Sequence, residues 1–370
     1  MKLYSFTTVR NEEDIIESFV RYNLNILDGM VISDNCSTDN TLNILKELKK
    51  EGLNIDILID ENKRFDQTIR RNELLNYTID KYKPDFVFPI DADEFICSND
   101  GKNPRKIIEK LDKNYLYNYE MKNYVIDGTE KDDLFIPKMI TKQRIIEKIY
   151  GYDCKCFISS KMYKHTGGIY LVMGSHTIQF NNKEEVPTKK NDDIFLAHYP
   201  VRNKYQVMNK VITGRLNNSS LHSREEGFGF HQYVILDEII ENGTLSDRSL
   251  YDISKYYSVK DEDKNKKISL IEKGIDLSFC KNIKMKYTKK ASNKDVLSNT
   301  LIISEGIINH MRDELKGYKD NQDEIIFKYN DTKGRYKILE ESYNSILNSI
   351  SWKITKPIRT ITNILKRKKK

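Results

Sequence analysis

The chain has 370 residues, 38% hydrophobic and 32% charged, enough for one large domain and a smaller one, or two of ordinary size, beneath a very polar surface. Its formal net charge of +7 is concentrated in one place: residues 351–370 hold eight Lys and Arg and no acid, and the rest of the chain carries −1. A nucleic-acid-binding body is therefore not expected. No segment is apolar for long enough to cross a bilayer, and the opening MKLYSFTTVRNEED lacks the apolar run and cleavage site of a signal peptide. Cys36, Cys97, Cys154, Cys156 and Cys280 are scattered ordinary thiols that suit a reducing compartment, so a cytoplasmic location is expected.

Leu3 to Val9 reads as a strand. Asn11 offers an N-cap, and Glu12, Glu13 and Asp14 suit the positive end of a helix whose apolar face is Ile16, Phe19, Val20, Leu24 and Leu27. Met30 to Ser33 is a second strand. Ser37, Thr38 and Asp39 then offer caps for a helix bearing Leu42, Leu45 and Leu48. Ile55 to Ile59, Gln67 to Lys81 and Phe86 to Ile90 continue as strand, helix and strand. This βαβαβαβ order predicts an α/β fold with a mainly parallel sheet flanked by helices. Ligands of such folds sit beyond the C-terminal strand ends, where the polar clusters TTVRNE, SDNCSTDNT and DADEF fall. Shorter strands and loops are expected between about 100 and 200, and a mostly helical C-terminal region from Lys204. A soft boundary near residue 245 divides the chain into 1–245, 246–350 and a tail, 351–370.

The run DFVFPIDADEFI (85–96) turns from apolar to acidic within a few residues. A strand interior does not tolerate Asp91, Asp93 and Glu94 together unless something neutralises them. Two readings stand: a strand that has reached the surface, or a cation site at a strand's C-terminal edge. The polar clusters at the other strand ends favour the second.

TTVRNEEDIIESFVRYN (7–23), SDNCSTDNT (33–41), RRNELL (70–75), FPIDADEF (88–95) and HYPVRNKYQVMNKV (198–211) together resemble the family 2 glycosyltransferases of the bacterial DADEF type, over about residues 1–240. The resemblance implies a GT-A fold, a nucleotide-sugar donor (a UDP-sugar), a divalent cation (Mn2+ or Mg2+) and inversion at the anomeric carbon by a hexosyltransferase-type enzyme. The expected acceptor is a hydroxyl of a protein or cell-surface glycan.

On that footing Asp93 is a direct metal ligand and Asp91 a metal or ribose contact, since hard cations favour carboxylates and two Asp one residue apart in extended backbone face one side. Glu94 positions the acceptor or the strand edge. Thr7, Val9, Asn11 and Glu12 floor the nucleoside, with Asn11 alternatively a plain helix cap, while Asp34 and Asn35 reach base or ribose. Arg71 approaches the diphosphate as a charge-assisted donor. His198 in HYPVR matches the family's late metal-ligating His. His176 is the first choice for the general base, with Glu184, Glu185, Asp192 and Asp193 as alternatives, and His231 lines the acceptor cleft or packs on its helix.

The alternatives are a nucleotidyltransferase, which would more typically carry a Gly-rich phosphate loop that TTVRNE lacks, and a non-enzymatic basic adaptor for a membrane surface. The tail SWKITKPIRTITNILKRKKK combines Trp352, Ile358, Ile361, Ile364 and Leu365 with basic residues, the pattern of a helix lying on an anionic membrane. It also resembles the SW-x-x-T-x-P-x-R tails of many bacterial sugar transferases. Peripheral attachment at the inner face of the membrane is thus expected.

Overall fold

The computed structural model describes residues 1–60, 67–146, 154–180, 186–219, 230–259, 266–280, 283–290 and 292–348. Its first part follows the predicted alternation: β1 (Leu3–Val9), α1 (Ile16–Asn23), β2 (Gly29–Asn35), α2 (Thr41–Lys50), β3 (Ile55–Asp60), α3 (Gln67–Tyr82) and β4 (Phe86–Pro89). β1 pairs in parallel with β2 and β4, and β2 pairs in parallel with β3. Helices cover both faces of the central strands, so β1, β2 and β4 are buried along nearly their whole length, while β3, at the sheet edge, is only partly buried. Leu3 and Val9 pack with Phe19 and Val20 of α1 and Ile44 and Leu45 of α2. On the opposite face Phe6 packs with Val31, Val87 and α3 residues Leu74, Leu75 and Ile79.

Asn11 does not cap α1. The helix begins after Ile15 without a side-chain cap, and Asn11 sits at φ 56, in the left-handed region that Asn tolerates through local hydrogen bonding. Its Oδ1 accepts from the Thr38 main-chain N–H at 2.8 Å. In return the N–H groups of Asn11, Glu12 and Glu13 donate to Ser37 Oγ, Thr41 Oγ1 and Asp39 Oδ2 at 3.0, 2.8 and 3.2 Å. The polar residues that follow β1 and β2 therefore stitch the two strand ends together.

The second part contains β5 (Glu94–Ser98), α4 (Arg105–Ile108), β6 (Tyr117–Val125), α5 (Ile136–Met139), β7 (Lys142–Ile146), β8 (Cys154–Ser159) and α6 (Ser160–His165). Then come β9 (Tyr170–Leu171), a 3-10 turn (Met173–Ser175), β10 (Ile178–Gln179), β11 (Lys189–His198), α7 (Lys204–Ser219), α8 (Phe230–Asn242), α9 (Asp247–Lys255), β12 (Ile268–Glu272) and α10 (Asn293–Asn348). The large sheet runs β12-β7-β6-β8-β4-β1-β2-β3, with β11 joined to β5 and β6. Beyond β4 the joins to β8, β6, β7 and β12 turn antiparallel, while β11 lies parallel to β6 and antiparallel to β5.

Residues Met1–Ile307 form one compact unit and Ile308–Lys370 a second. The first unit continues past residue 245 through α9, β12 and the start of α10. Among the described residues no helix is long and apolar enough to cross a membrane. The tail, 351–370, lies outside the described residues.

Candidate metal and donor site

Asp91 and Asp93 do not lie in extended backbone. The Glu94 N–H donates to the Asp91 carbonyl at 3.0 Å, and the Glu94 carboxylate accepts from the Asp91 N–H at 2.8 Å, closing a tight turn between β4 and β5. The turn breaks the two-residue alternation of a strand, so the two aspartates meet different partners.

Asp93 belongs to the β11 side. Register pairs His198, the last residue of β11, with Glu94 on one side and Asn123 on the other, and the Tyr199 N–H donates to the Asp93 carbonyl at 2.9 Å. His198 Nδ1 donates to Asn123 Oδ1 at 2.6 Å, which turns Nε2 toward Asp93, 3.6 Å from Oδ2. Asp93, Glu94 and His198 are all buried, with ligand atoms within 4.8 Å of one another. Arg202 and Lys210 each reach 3.9 Å from Asp93 Oδ2. Burial pushes the Asp93 carboxyl up, but His198, Lys210 and Arg202 hold it well below the usual carboxylate range. Arg202 is itself fixed by Asp14 at 2.7 Å and Glu12 at 2.6 Å. Burial, with Asp93 and Asp14 nearby and Arg202 opposing, lifts Glu12 to about 7.

Asp91 belongs to the α3 and β8 side. Its carboxylate is partly exposed and bonds Arg71, which also donates to Ser175 Oγ at 2.7 Å. Lys155 on β8 donates to Asp91 Oδ2 at 2.8 Å and to Glu94 Oε1 at 2.6 Å. Burial alone would raise Asp91, yet the Arg71 and Lys155 cations hold it at about 2. Glu94 is raised by burial against the pull of Lys155. His176 follows Ser175, and its Nδ1 donates to the Cys154 carbonyl at 2.6 Å. Burial, and secondarily the positive Lys155 and Arg71, lower its pKa, which keeps the ring neutral. At Gly174, φ is +73 and an added Cβ would stand 2.5 Å from the His176 ring, so the turn needs glycine to seat that imidazole.

The ends of β1 and β2 carry buried polar atoms, Thr7 Oγ1, Thr8 Oγ1, Arg10 Nε and Nη1, and Asp34 Oδ1, that have no hydrogen-bond partner among the described residues. Native interiors satisfy most buried polar groups, so a cluster of this kind calls for partners from a ligand, an ion or water. The other Asp34 oxygen accepts from the Ser37 N–H at 3.1 Å, and Asn35 donates to Asp60 at 3.1 Å. Val9 turns its side chain into the core.

Some candidates stand apart. Asp192 and Asp193 are exposed near the opposite end of β11 from His198, with Asp192 paired to Lys190 at 2.6 Å; five to six strand residues amount to roughly 17–20 Å. Glu184 and Glu185 lie outside the described residues. His231 is the second residue of α8, and its side chain is likewise outside the described set. Sequence reasoning passed over Lys155, Arg202, Lys210 and Asn123 as site residues. Lys155 left one signal: a cation in the otherwise apolar CKCFIS run, which needs buried acids to neutralise it.

The donor set fits a hard divalent cation. Asp93 and His198 present a carboxylate oxygen and an imidazole nitrogen on a buried wall, which suits Mn2+ or Mg2+. Glu94 is close enough but is committed to Lys155, and Asp91 lies outside that cluster with both oxygens engaged.

Residues 6–165 match the family profile described as glycosyl transferase family 2. Among solved structures, S. aureus TarS 1-349 in complex with UDP is 18% identical, over 71% of this chain and 76% of that one, with a TM-score of 0.32. The mannosyltransferase PcManGT from Pyrobaculum calidifontis, in complex with GDP-Man and Mn2+, is 12% identical over 70% and 81%, with a TM-score of 0.34. Glucosyl-3-phosphoglycerate synthase from Mycobacterium tuberculosis, in complex with Mg2+ and UDP, is 16% identical over 32% and 43%, with a TM-score of 0.22. A comparison with curated proteins finds no match.

Proposed function

We propose that this chain, whose segment 6–165 matches glycosyl transferase family 2 and carries the Asp91–Glu94 turn, belongs to that family and is a metal-dependent inverting enzyme that moves a sugar from a UDP-sugar to a hydroxyl of a protein or cell-surface glycan. The observation that carries this reading is the Asp93–His198 pair in the same unit as strand ends rich in unsatisfied polar atoms. Residues 1–245 are the catalytic domain in this reading, and 246–350 a helical region that follows it.

Asp93 and His198 would hold Mn2+ or Mg2+, which when bound stabilises negative charge on a departing diphosphate. The unsatisfied atoms of Thr7, Thr8, Arg10 and Asp34 receive the nucleoside, and Asn11 and Glu12 border it. Lys210 lies near enough to Asp93 to share its charge with an incoming diphosphate. Arg71 and Lys155 hold Asp91 ionised beside the donor sugar. The acceptor oxygen forms the new bond to the anomeric carbon as the bond to the diphosphate breaks on the opposite face. The acceptor proton passes to neutral His176. Glu94 shapes the acceptor side through its turn with Asp91, and His231 lies toward that side. The basic tail, 351–370, holds the chain at an anionic membrane surface on the cytoplasmic side; unchanged vesicle sedimentation after its deletion would rule that out.

Thermal shift with a panel of nucleotide sugars, with and without Mn2+, tests the function. A UDP-sugar with Mn2+ at about a hundred times its Kd should stabilise the fold by about 2.7 kcal/mol. No shift with any nucleotide sugar would remove the reading.

A further inference from the structure

From Ile308 onward α10 belongs to the second unit, and its apolar side chains from Ile308 to Tyr343 lie in solvent. Ile308, Leu315, Tyr329, Tyr336 and Tyr343 are 49–67% exposed, and Met311, Tyr318, Ile325 and Leu339 are 47–73% exposed. The first set falls in one phase of a seven-residue repeat and the second three residues later, so the spacing alternates three and four from Ile308 to Tyr343. Gln322 and Thr332 are the polar residues in phase. A repeat of 3.5 keeps one stripe of a helix facing a partner along its length. Over roughly 50 Å of helix, such a stripe has no reason to be apolar if it faces water, because a long helix is stabilised chiefly by burying a face.

We propose that residues 308–343 form a parallel two-stranded coiled coil with the same segment of a second copy of this chain. The charges flanking the stripe support a second copy and this orientation. In a parallel, in-register pair each flanking residue meets the one five positions on in its partner. Glu314 then meets Lys319 and Arg335 meets Glu340, each twice, against Lys328 meeting Lys333 twice. In the antiparallel register that sets Gln322 against Thr332, Arg312 meets Glu340 twice, but Lys319 meets Lys333 twice and Lys328 meets itself. Of these two arrangements, attraction outweighs repulsion only in the parallel one. There Gln322 also faces its own copy, and a lone polar residue in such a seam fixes register and strand number at some expense of stability.

Sedimentation equilibrium of the full chain should give twice the chain mass of 43.6 kDa. The triple variant Leu315→Glu/Ile325→Glu/Leu339→Glu should give the single-chain mass. Phe327→Glu/Ile338→Glu removes equally exposed apolar groups that lie off the stripe and should leave the dimer intact. Gln322→Cys should form a disulfide-linked dimer on mild oxidation, above the level of the parent with its native thiols. A single-chain mass for the parent at every loading concentration, with or without binding to lipid vesicles, overturns the proposal. So do a three-chain mass, a dimer untouched by the triple variant, equal loss from the off-stripe variant, or no linkage at residue 322.

Discussion

His198 Nε2 stands 3.6 Å from Asp93 Oδ2 because β11 runs antiparallel to β5 with His198 opposite Glu94, one residue after the aspartate. The imidazole is aimed by Asn123, whose Oδ1 accepts from Nδ1 at 2.6 Å. Asn123→Ala removes that aim without touching either ligand. Mn2+ affinity should fall about 10- to 100-fold, read by titration calorimetry, while Asn123→Asp retains most of it by accepting the same proton. Unchanged Mn2+ affinity in Asn123→Ala would show that the ring needs no such support.

Lys155 is 1% exposed and serves both Asp91 and Glu94. Lys155→Met leaves a buried acid without its cation, and breaking a buried pair from one side costs about 3–5 kcal/mol. Urea denaturation should show a loss of that order. Lys155→Met/Glu94→Gln should recover much of it, since both charges are then gone and Asp91 keeps Arg71. A single variant within about 1 kcal/mol of the parent would mean that Lys155 is not a structural counter-charge.

Hydrophobic periodicity made the alternation from β1 to β4 legible, because strands buried on both faces and helices with one apolar stripe leave distinct patterns. Asp93 and His198 were legible as polar residues at the ends of apolar runs. Their division from Asp91 was not, because it depends on a turn closed by Glu94, and sequence spacing alone suggested continued extension. Asn11 misled for a related reason: cap-forming residues also suit left-handed turns, and here tertiary bonds to Thr38 decided the outcome. Lys155, Arg202 and Lys210 come from distant elements, and only pairing register brings them to the carboxylates.

His176→Ala should leave donor binding in place and lower turnover about a hundredfold if the ring takes the acceptor proton. Gly174→Ala should act in the same direction, since its Cβ collides with the imidazole. Because burial depresses the His176 pKa, the acid limb of the pH–rate profile should lie below the ordinary histidine value of 6.5. Near-normal turnover in His176→Ala would move the proton to another group and leave the transferase reading standing.

Glu13 gives a pH dependence of stability. Burial first, then Asp39, lifts its carboxyl to about 7 from 4.5. A raised carboxyl is most favourable while protonated: its contribution is complete below 4.5 and is lost as pH rises through about 7. Glu13→Gln keeps a neutral group there, so it should melt above the parent on the alkaline side of that window, with the difference narrowing on the acid side. A difference that does not change across the window would contradict the assignment.

Release of free nucleoside diphosphate from a UDP-sugar tests the central claim most directly, compared with Mn2+, after chelation, and in Asp93→Asn. The parent should release product with Mn2+ and stop on chelation, with activity restored by adding Mn2+ back. Asp93→Asn should stay folded and inactive at any Mn2+ concentration, because a neutral amide is a poor ligand for a hard cation. Release that continues in the chelator, or normal release by Asp93→Asn, would contradict a metal-dependent transfer centred on Asp93 and His198.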